Sequence, residues 1–526
     1  MGEVRNPMRR RTNGKVLMIQ GTASHVGKSV IVAAFCRLFA RAGYRVAPFK
    51  AQNMSNNSFV TLQGGEIGRA QAFQAQAAGV EPHVDMNPVL LKPSADTVAQ
   101  VVLLGQPVGD MGVGAYHAYQ SLAWGHVVGA LERLRAQYDL VIIEGAGSPA
   151  EVNLRDRDIV NMRVALHAQS PVLLVGDIER GGVFASLFGT MALLTEEERR
   201  CVRGYLINKF RGDASLLAEG LDFLRHETGI PVLGVLPYVF GLPVDEEDAV
   251  SIPHRRPAKR VAELDVGVIH LPHISNATDF EPLSREPDVS VRYIDSVAAF
   301  DRPDLVILPG TKSTAADLEW IRRQGLAAAL DDHVRGGGWL IGICGGYQMM
   351  GRRICDPERV ESPRPVLRGL AMLPVVTTFR RRKRLVRVEA SCLLAGMEGV
   401  PVRGYEIHQG RSQIEGECAP AFQVHREFET YVEQAEGAAA SPALFGTYLH
   451  GLFDHSGFRR SYLNGLRQAK GLPPLPAHAH DTRTKDFDQL ADWVQDSVDM
   501  QAVCEIVGLR LPAPVRKRRA AKTEKA

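Results

Sequence analysis

Between residues 15 and 237 the chain alternates short, continuously apolar runs with longer stretches of mixed polarity. The runs fall at 15–21, 44–50, 139–145, 171–177, 204–210 and 231–237. A strand with one wet face alternates apolar and polar residues; these runs do not alternate, so both of their faces are covered. Spaced by helix-length segments, they predict a parallel sheet flanked by helices. After Pro237 the pattern breaks. Asp245, Glu246, Glu247 and Asp248 lead into Pro253-His-Arg-Arg-Pro257, a charged and proline-broken linker. A second series follows at 264–271, 289–295, 304–310, 339–344 and 444–451, and it again reads as α/β. The expected division is a first domain at 14–245, a linker at 246–261 and a second domain at 262–457. A helical extension at 458–510 is expected to pack on the second domain, followed by a basic disordered tail at 511–526.

Composition narrows the class. At 526 residues the chain is too long for one ordinary core, and 45% hydrophobic with 23% charged residues is the balance of a soluble globular protein. A net charge of +3 is small for this length and points to neither nucleic acid nor a membrane surface as partner. No leader pattern is visible, and no apolar run approaches the roughly 20 residues that span a bilayer. The seven cysteines are odd in number, scattered and without a C-x-x-C pair, which fits a reducing cytoplasm rather than a disulfide framework or zinc site. Arg516, Lys517, Arg518, Arg519, Lys522 and Lys525 crowd the last residues; a solvated tail explains them more simply than an anionic partner.

Chemistry concentrates at strand ends. Gly21-Thr22-Ala-Ser-His-Val-Gly27-Lys28-Ser29 follows the first apolar run and opens a helix that stops at Gly43. In that context glycines bring backbone N–H groups to phosphate oxygens, and the helix N-terminus adds its positive dipole end. Lys28 would reach the outer phosphates, and Ser29 would ligate Mg²⁺. Five residues separate Gly21 from Gly27, one more than the usual phosphate loop has. The form G-T-x-x-x-V-G-K-S resembles dethiobiotin synthetase and related amide-forming ligases. Partitioning ATPases carry a further lysine near the loop's start, and it is absent here. Glu144 ends an apolar run at the carboxyl edge of the sheet, where a metal-binding acid is needed; a helix-capping role is the bland alternative. Lys50 is a second phosphate contact by position. Asn208 fits an adenine edge or a buried structural amide equally well.

The second constellation is Trp339-Leu-Ile-Gly-Ile-Cys344-Gly345-Gly-Tyr-Gln348. A cysteine between an apolar strand and two glycines occupies a sharp turn that exposes the sulfur at a helix N-terminus. His450, in Gly446-Thr-Tyr-Leu-His450-Gly, sits at another strand end and supplies the base. These residues resemble class I glutamine amidotransferases. The resemblance implies a glutamyl thioester on Cys344, ammonia release, and an oxyanion hole from Gly345 with the backbone near Gly310 and Thr311. The acid usually found two residues after the histidine is Leu452 here, so the third triad member is missing or comes from elsewhere.

An ATP site beside an ammonia source suits amidation of a carboxylate through an acyl phosphate. Longer motifs narrow the family: Ala47-Pro-Phe-Lys50-Ala-Gln-Asn53-Met54, Met86-Asn-Pro-Val-Leu-Leu-Lys92-Pro93, Glu144-Gly-Ala-Gly-Ser-Pro-Ala-Glu151-Val-Asn-Leu-Arg-Asp-Arg-Asp158, Gly176-Asp-Ile-Glu-Arg-Gly-Gly-Val-Phe184 and Gly404-Tyr-Glu-Ile-His408-Gln-Gly410. Together they resemble the cobyric acid synthase family over nearly the whole chain. That resemblance implies ATP, glutamine and adenosylcobyrinic acid a,c-diamide as substrates, with the b, d, e and g carboxylates amidated. It implies Mg²⁺ with ATP and no prosthetic group, the corrinoid being substrate. The sister a,c-diamide synthase, a CTP synthase-like amination and a switch ATPase with a degenerate second domain are the alternatives. The acid-rich loop ending in Asp158 gives that residue two readings, a cap for the next helix or a group acting in amide formation.

Overall fold

The computed structural model describes residues 13–95, 97–239, 262–476 and 482–511. The expected linker and basic tail lie outside these residues, except for Leu511. All six runs of the first series form one fully parallel sheet. Its order is Val232–Pro237, Val202–Phe210, Val172–Asp177, Lys15–Gly21, Leu140–Glu144 and Val46–Phe49. Every residue of Leu140–Glu144 is buried, as continuous apolarity requires of a strand covered on both faces. The carboxyl ends of Lys15–Gly21 and Leu140–Glu144, neighbours at the middle of the sheet, carry the phosphate loop and Glu144. The second series builds a similar sheet in the order Val289–Ile294, Leu264–Ile269, Leu305–Leu308, Trp339–Ile343, Leu444–Thr447 and Ala438–Ser441, antiparallel at the last strand alone.

Two mainly antiparallel layers were not legible as such. Gln52–Met54, Val89–Ala95, Val98–Leu103 and Gln106–Gly112 form a small sheet, with Ser58–Val60 and Glu66–Gly68 as a separate hairpin. In the second domain Val375–Cys392 pairs with Pro401–Ile414 across a register shift between Phe379 and Arg384. That shift holds Arg380-Arg-Arg-Lys-Arg384, whose charges hide the strand in the sequence.

The hairpin joins the domains. Phe59, Val60 and Ile67 form a small core with Tyr405 and Ile407 of the second domain. Asn276 Oδ1 accepts from the Ser58 N–H at 2.8 Å, and Asn57 Oδ1 accepts from the Ala277 N–H at 3.1 Å, a reciprocal clasp of two amides.

The extension divides, correcting its expected placement. Helix Ser456–Ala469 does pack on the second domain, with Phe458, Tyr462, Leu463 and Leu466 in its core. Helices Thr482–Ser497 and Met500–Val507 return instead to the first domain. Phe487, Leu490, Ala491 and Val494 repeat at helical spacing and cover the helix Lys28–Arg41, beside Phe35 and Phe39. Arg37 pairs with Asp488 at 2.9 Å, and the ring of Phe487 meets Phe73 edge-on at 4.9 Å. Amphipathic periodicity shows that a stripe is buried but not against which partner. Phe487→Ala is expected to cost the first domain about 3 kcal/mol. The loss would be read as an earlier urea transition, and an unmoved transition would show that this helix merely rests on the surface.

Candidate active site

The phosphate loop is held by its neighbours. Gly27 has φ 98°, and a Cβ there would lie 2.2 Å from Asn208 Nδ2, so glycine is required on both counts. Asn208 Nδ2 also donates to the Val26 carbonyl at 2.8 Å, bracing the loop from the adjacent strand. The Thr22 N–H donates to Val175 O at 2.9 Å. Lys28 Nζ curls over the loop toward Ala23 O at 2.9 Å and Gly147 O at 3.2 Å. Below it, the fully buried Glu144 carboxylate gathers three donors. Ser29 Oγ at 2.7 Å and Lys50 Nζ at 3.0 Å share Oε1, and Gln74 Nε2 takes Oε2 at 2.5 Å. The predicted Lys28, Ser29, Lys50 and Glu144 therefore do come together.

This site opens into a broad cleft bordered by the loop, Lys50, Asn208 and the acid-rich segment. Pro272 and His273 of the second domain reach its rim, as does Trp493 of the returning helix. Asp158 borders it too. Its Oδ1 accepts from the N–H groups of Val160 at 2.8 Å and Asn161 at 2.9 Å, and its Oδ2 from Met162 at 3.0 Å. That is the geometry of a cap before the helix Met162–Ala168. Burial raises the Asp158 carboxyl above its usual range, against those backbone donors.

Cys344 stands at the end of Trp339–Ile343 with φ 51° and ψ −107°, a strained conformation for a residue with a side chain. The turn is possible because glycines follow it: a Cβ on Gly345 would sit 2.6 Å from Thr311 Cγ2, and one on Gly346 would sit 1.9 Å from the Leu308 carbonyl. Gly310 packs against the imidazole, since a Cβ there would lie 3.0 Å from His450 Cε1. Gly310, Thr311 and Gly345 thus converge on the sulfur and the base. His450 Nδ1 meets Asp279 Oδ2 at 2.7 Å, and the Gly451 N–H donates to Asp279 Oδ1 at 3.1 Å. Nδ1 being occupied, Nε2 is the nitrogen left to serve Cys344. Burial pushes the imidazole down, but the charge and hydrogen bond of Asp279, aided by Cys344, outweigh it and raise His450 to about 10. Tyr405 stacks on the ring at 5.5 Å. The acid absent at Leu452 is thereby replaced by Asp279 from the turn Ala277–Phe280.

Comparison with known proteins agrees with both halves. Residues 17–250 match the CobQ/CobB/MinD/ParA nucleotide binding domain, and residues 265–458 match the CobB/CobQ-like glutamine amidotransferase domain. A cobyric acid synthase of Dehalococcoides mccartyi (strain CBDB1) is 47% identical, covering 94% of this chain and 99% of its own. One of Sorangium cellulosum (strain So ce56) is 51% identical over 94% of this chain and 98% of its own. The chain belongs to the cobyric acid synthase family. It is a glutamine-hydrolysing, carbon–nitrogen bond-forming ligase with a nucleotide-binding domain.

For this member of the family, sequence reasoning missed Asp279 and Gln74. The signal for Asp279 was weak: it lies in the turn Ala277–Phe280, beyond the apolar run at 264–271, whereas Glu144 ends its own strand. Gln74, on the helix Arg69–Ala77, left no cue, because a polar residue in a helix is ordinarily a solvated one. No helix among the described residues is long and apolar enough to cross a membrane.

Proposed function

We propose that the chain amidates the b, d, e and g side-chain carboxylates of adenosylcobyrinic acid a,c-diamide to give adenosylcobyric acid, consuming one ATP and one glutamine at each. A carboxylate attacks the γ-phosphorus of ATP, and ADP leaves. Lys28 and the N-terminus of Lys28–Arg41 hold the charge that builds on the phosphate oxygens. The acyl phosphate then loses phosphate to attacking ammonia. Ser29 and Glu144 offer a hydroxyl and a carboxylate, 2.7 Å apart, hard oxygen donors suited to Mg²⁺. Magnesium held there would neutralise phosphate charge.

In the second domain the proton of Cys344 resides on His450 as the imidazolium that Asp279 stabilises, and the thiolate attacks the glutamine amide carbon. Backbone near Thr311 and Gly345 receives the oxyanion, and His450 returns the proton to departing ammonia. Water then releases glutamate from the thioester. Asp279 fixes the ring through Nδ1 throughout.

The observation that carries this reading is the wall between the two sites. Lys92 faces the cavity that contains Cys344, while its neighbours Leu91 and Pro93 face the ATP cleft. One strand, Val89–Ala95, therefore separates the ammonia source from the acyl phosphate it must meet. The test supplies cobyrinic acid a,c-diamide in its adenosylated form with ATP, Mg²⁺ and glutamine, and counts amides by mass spectrometry. A product carrying four new amides is expected. No gain on the a,c-diamide, with amidation of cobyrinic acid itself, would transfer the chain to the sister reaction.

A further inference from the structure

The cavity around Cys344 is lined by charges that the amide chemistry does not use. Its lysines are Lys92, Lys312 and Lys383. Two of them are already matched. Lys92 and Lys383 each meet a different oxygen of the buried Glu66 at 2.5 Å, from opposite sides of the domain interface. The two histidines are matched as well, His408 by Glu406 at 2.9 Å and His450 by Asp279. Lys312 is the one cation lining the cavity whose charged group has no ion-pair or hydrogen-bond partner among the described residues.

One carboxylate faces the same space. Glu361 accepts from the Thr314 N–H through Oε2 at 2.9 Å, and it forms no ion pair with any described residue. Thr314 in turn donates from Oγ1 to Gln348 Oε1 at 3.0 Å, on the helix that Cys344 caps. Lys312 follows Thr311 directly, so both charges are anchored to the elements that surround the sulfur. Burial lowers Lys312 below the ordinary lysine range, with Lys383 adding to the effect. Burial likewise raises Glu361 to about 7. Each still senses the other's charge without pairing with it. A cation and an anion left this way are complementary to a ligand that brings one of each.

We infer that Lys312 receives the α-carboxylate of glutamine and Glu361 its α-ammonium group, so that this pair selects the free amino acid and positions its side-chain amide at Cys344. The inference rests on the glutaminase reading above and adds its specificity. It also accounts for the separate neutralisation of Lys92 and Lys383: with Glu66 between them, they close the far wall without competing for the carboxylate.

Two truncated amides test the assignment. Glutaramate lacks the α-amino group of glutamine, and 4-aminobutyramide lacks its α-carboxylate. The parent enzyme should hydrolyse each with kcat/KM roughly 10- to 100-fold below that for glutamine. Glu361→Gln should lose a similar factor on glutamine and little on glutaramate, because the missing group was its partner. Lys312→Met should lose it on glutamine and little on 4-aminobutyramide. Lys312→Arg and Glu361→Asp, which keep the charges, should recover much of the loss. Amide synthesis from ammonium reports whether each variant is folded. A parent that accepts both truncated amides as readily as glutamine overturns the assignment without any variant, as do folded variants with unchanged kcat/KM for glutamine. Failure of the underlying glutaminase reading looks different, since the parent would then release no glutamate from glutamine.

Discussion

Cys344→Ala is expected to abolish amide synthesis from glutamine while leaving synthesis from concentrated ammonium at alkaline pH within about two-fold of the parent. The sulfur forms the thioester and nothing else near it is a nucleophile of comparable strength, so the glutamine-dependent rate should fall by roughly 10⁴-fold or more. The alanine removes one buried atom beside the Ile407 carbonyl, which is 3.5 Å from the sulfur, and leaves both glycines of the turn in place. The fold should therefore survive. Alkaline pH matters because unprotonated ammonia, not ammonium ion, attacks the acyl phosphate. The phosphate loop and Glu144 lie across the strand Val89–Ala95 from this mutation and are untouched. Products should be scored with both nitrogen sources on one preparation. Loss of both activities in a protein that still unfolds cooperatively would mean that Cys344 also serves the ligase half.

Local signals and distant pairings were unequally legible. Glu144 was found because a charge after four apolar residues must emerge at a strand end, and the structure puts it beneath Ser29 and Lys50. Cys344 and His450 were found by the same logic from the strands preceding them. Asp279 escapes that logic: it lies in a turn beyond its strand, its partner is 171 residues away, and an acid in a loop has many cheaper explanations than a histidine so far along the chain. The helix Thr482–Ser497 shows the same limit in packing. Its stripe of Phe487, Leu490 and Val494 was readable, whereas its return to the first domain depends on the uncovered face of Lys28–Arg41, which no periodicity announces. Charge misled once. The basic run at 380–384 looks like a solvated loop, yet within it Lys383 and Arg384 reach buried acids, Glu66 across the interface and Glu406 on the paired strand.

Asp279→Asn should be nearly as damaging to glutamine use as removing the cysteine, through the tautomer of His450. The parent carboxylate accepts on both oxygens, from the ring at Nδ1 and from the Gly451 N–H. An asparagine has one acceptor and one donor side. The Gly451 N–H can only donate, so it claims the amide oxygen, and the amide N–H₂ then faces Nδ1. That makes Nδ1 an acceptor and moves the neutral ring's proton to Nε2, the nitrogen that must take the proton from Cys344. A base so blocked is expected to lose roughly 10³- to 10⁴-fold in glutamine turnover, the scale found for the corresponding change in a serine protease. Synthesis from ammonium should persist. Stability offers a second readout. His450 is raised to about 10 in the folded protein, above the roughly 6.5 of an unfolded histidine. Its contribution is therefore complete below pH about 6.5 and disappears as pH climbs through about 10. Without the Asp279 charge, burial is opposed only by the smaller contribution of Cys344 and the pKa falls, so this alkaline decline in unfolding midpoint should shrink in the variant. An Asp279→Asn protein that hydrolyses glutamine at the parent rate would leave His450 oriented by something other than this carboxylate.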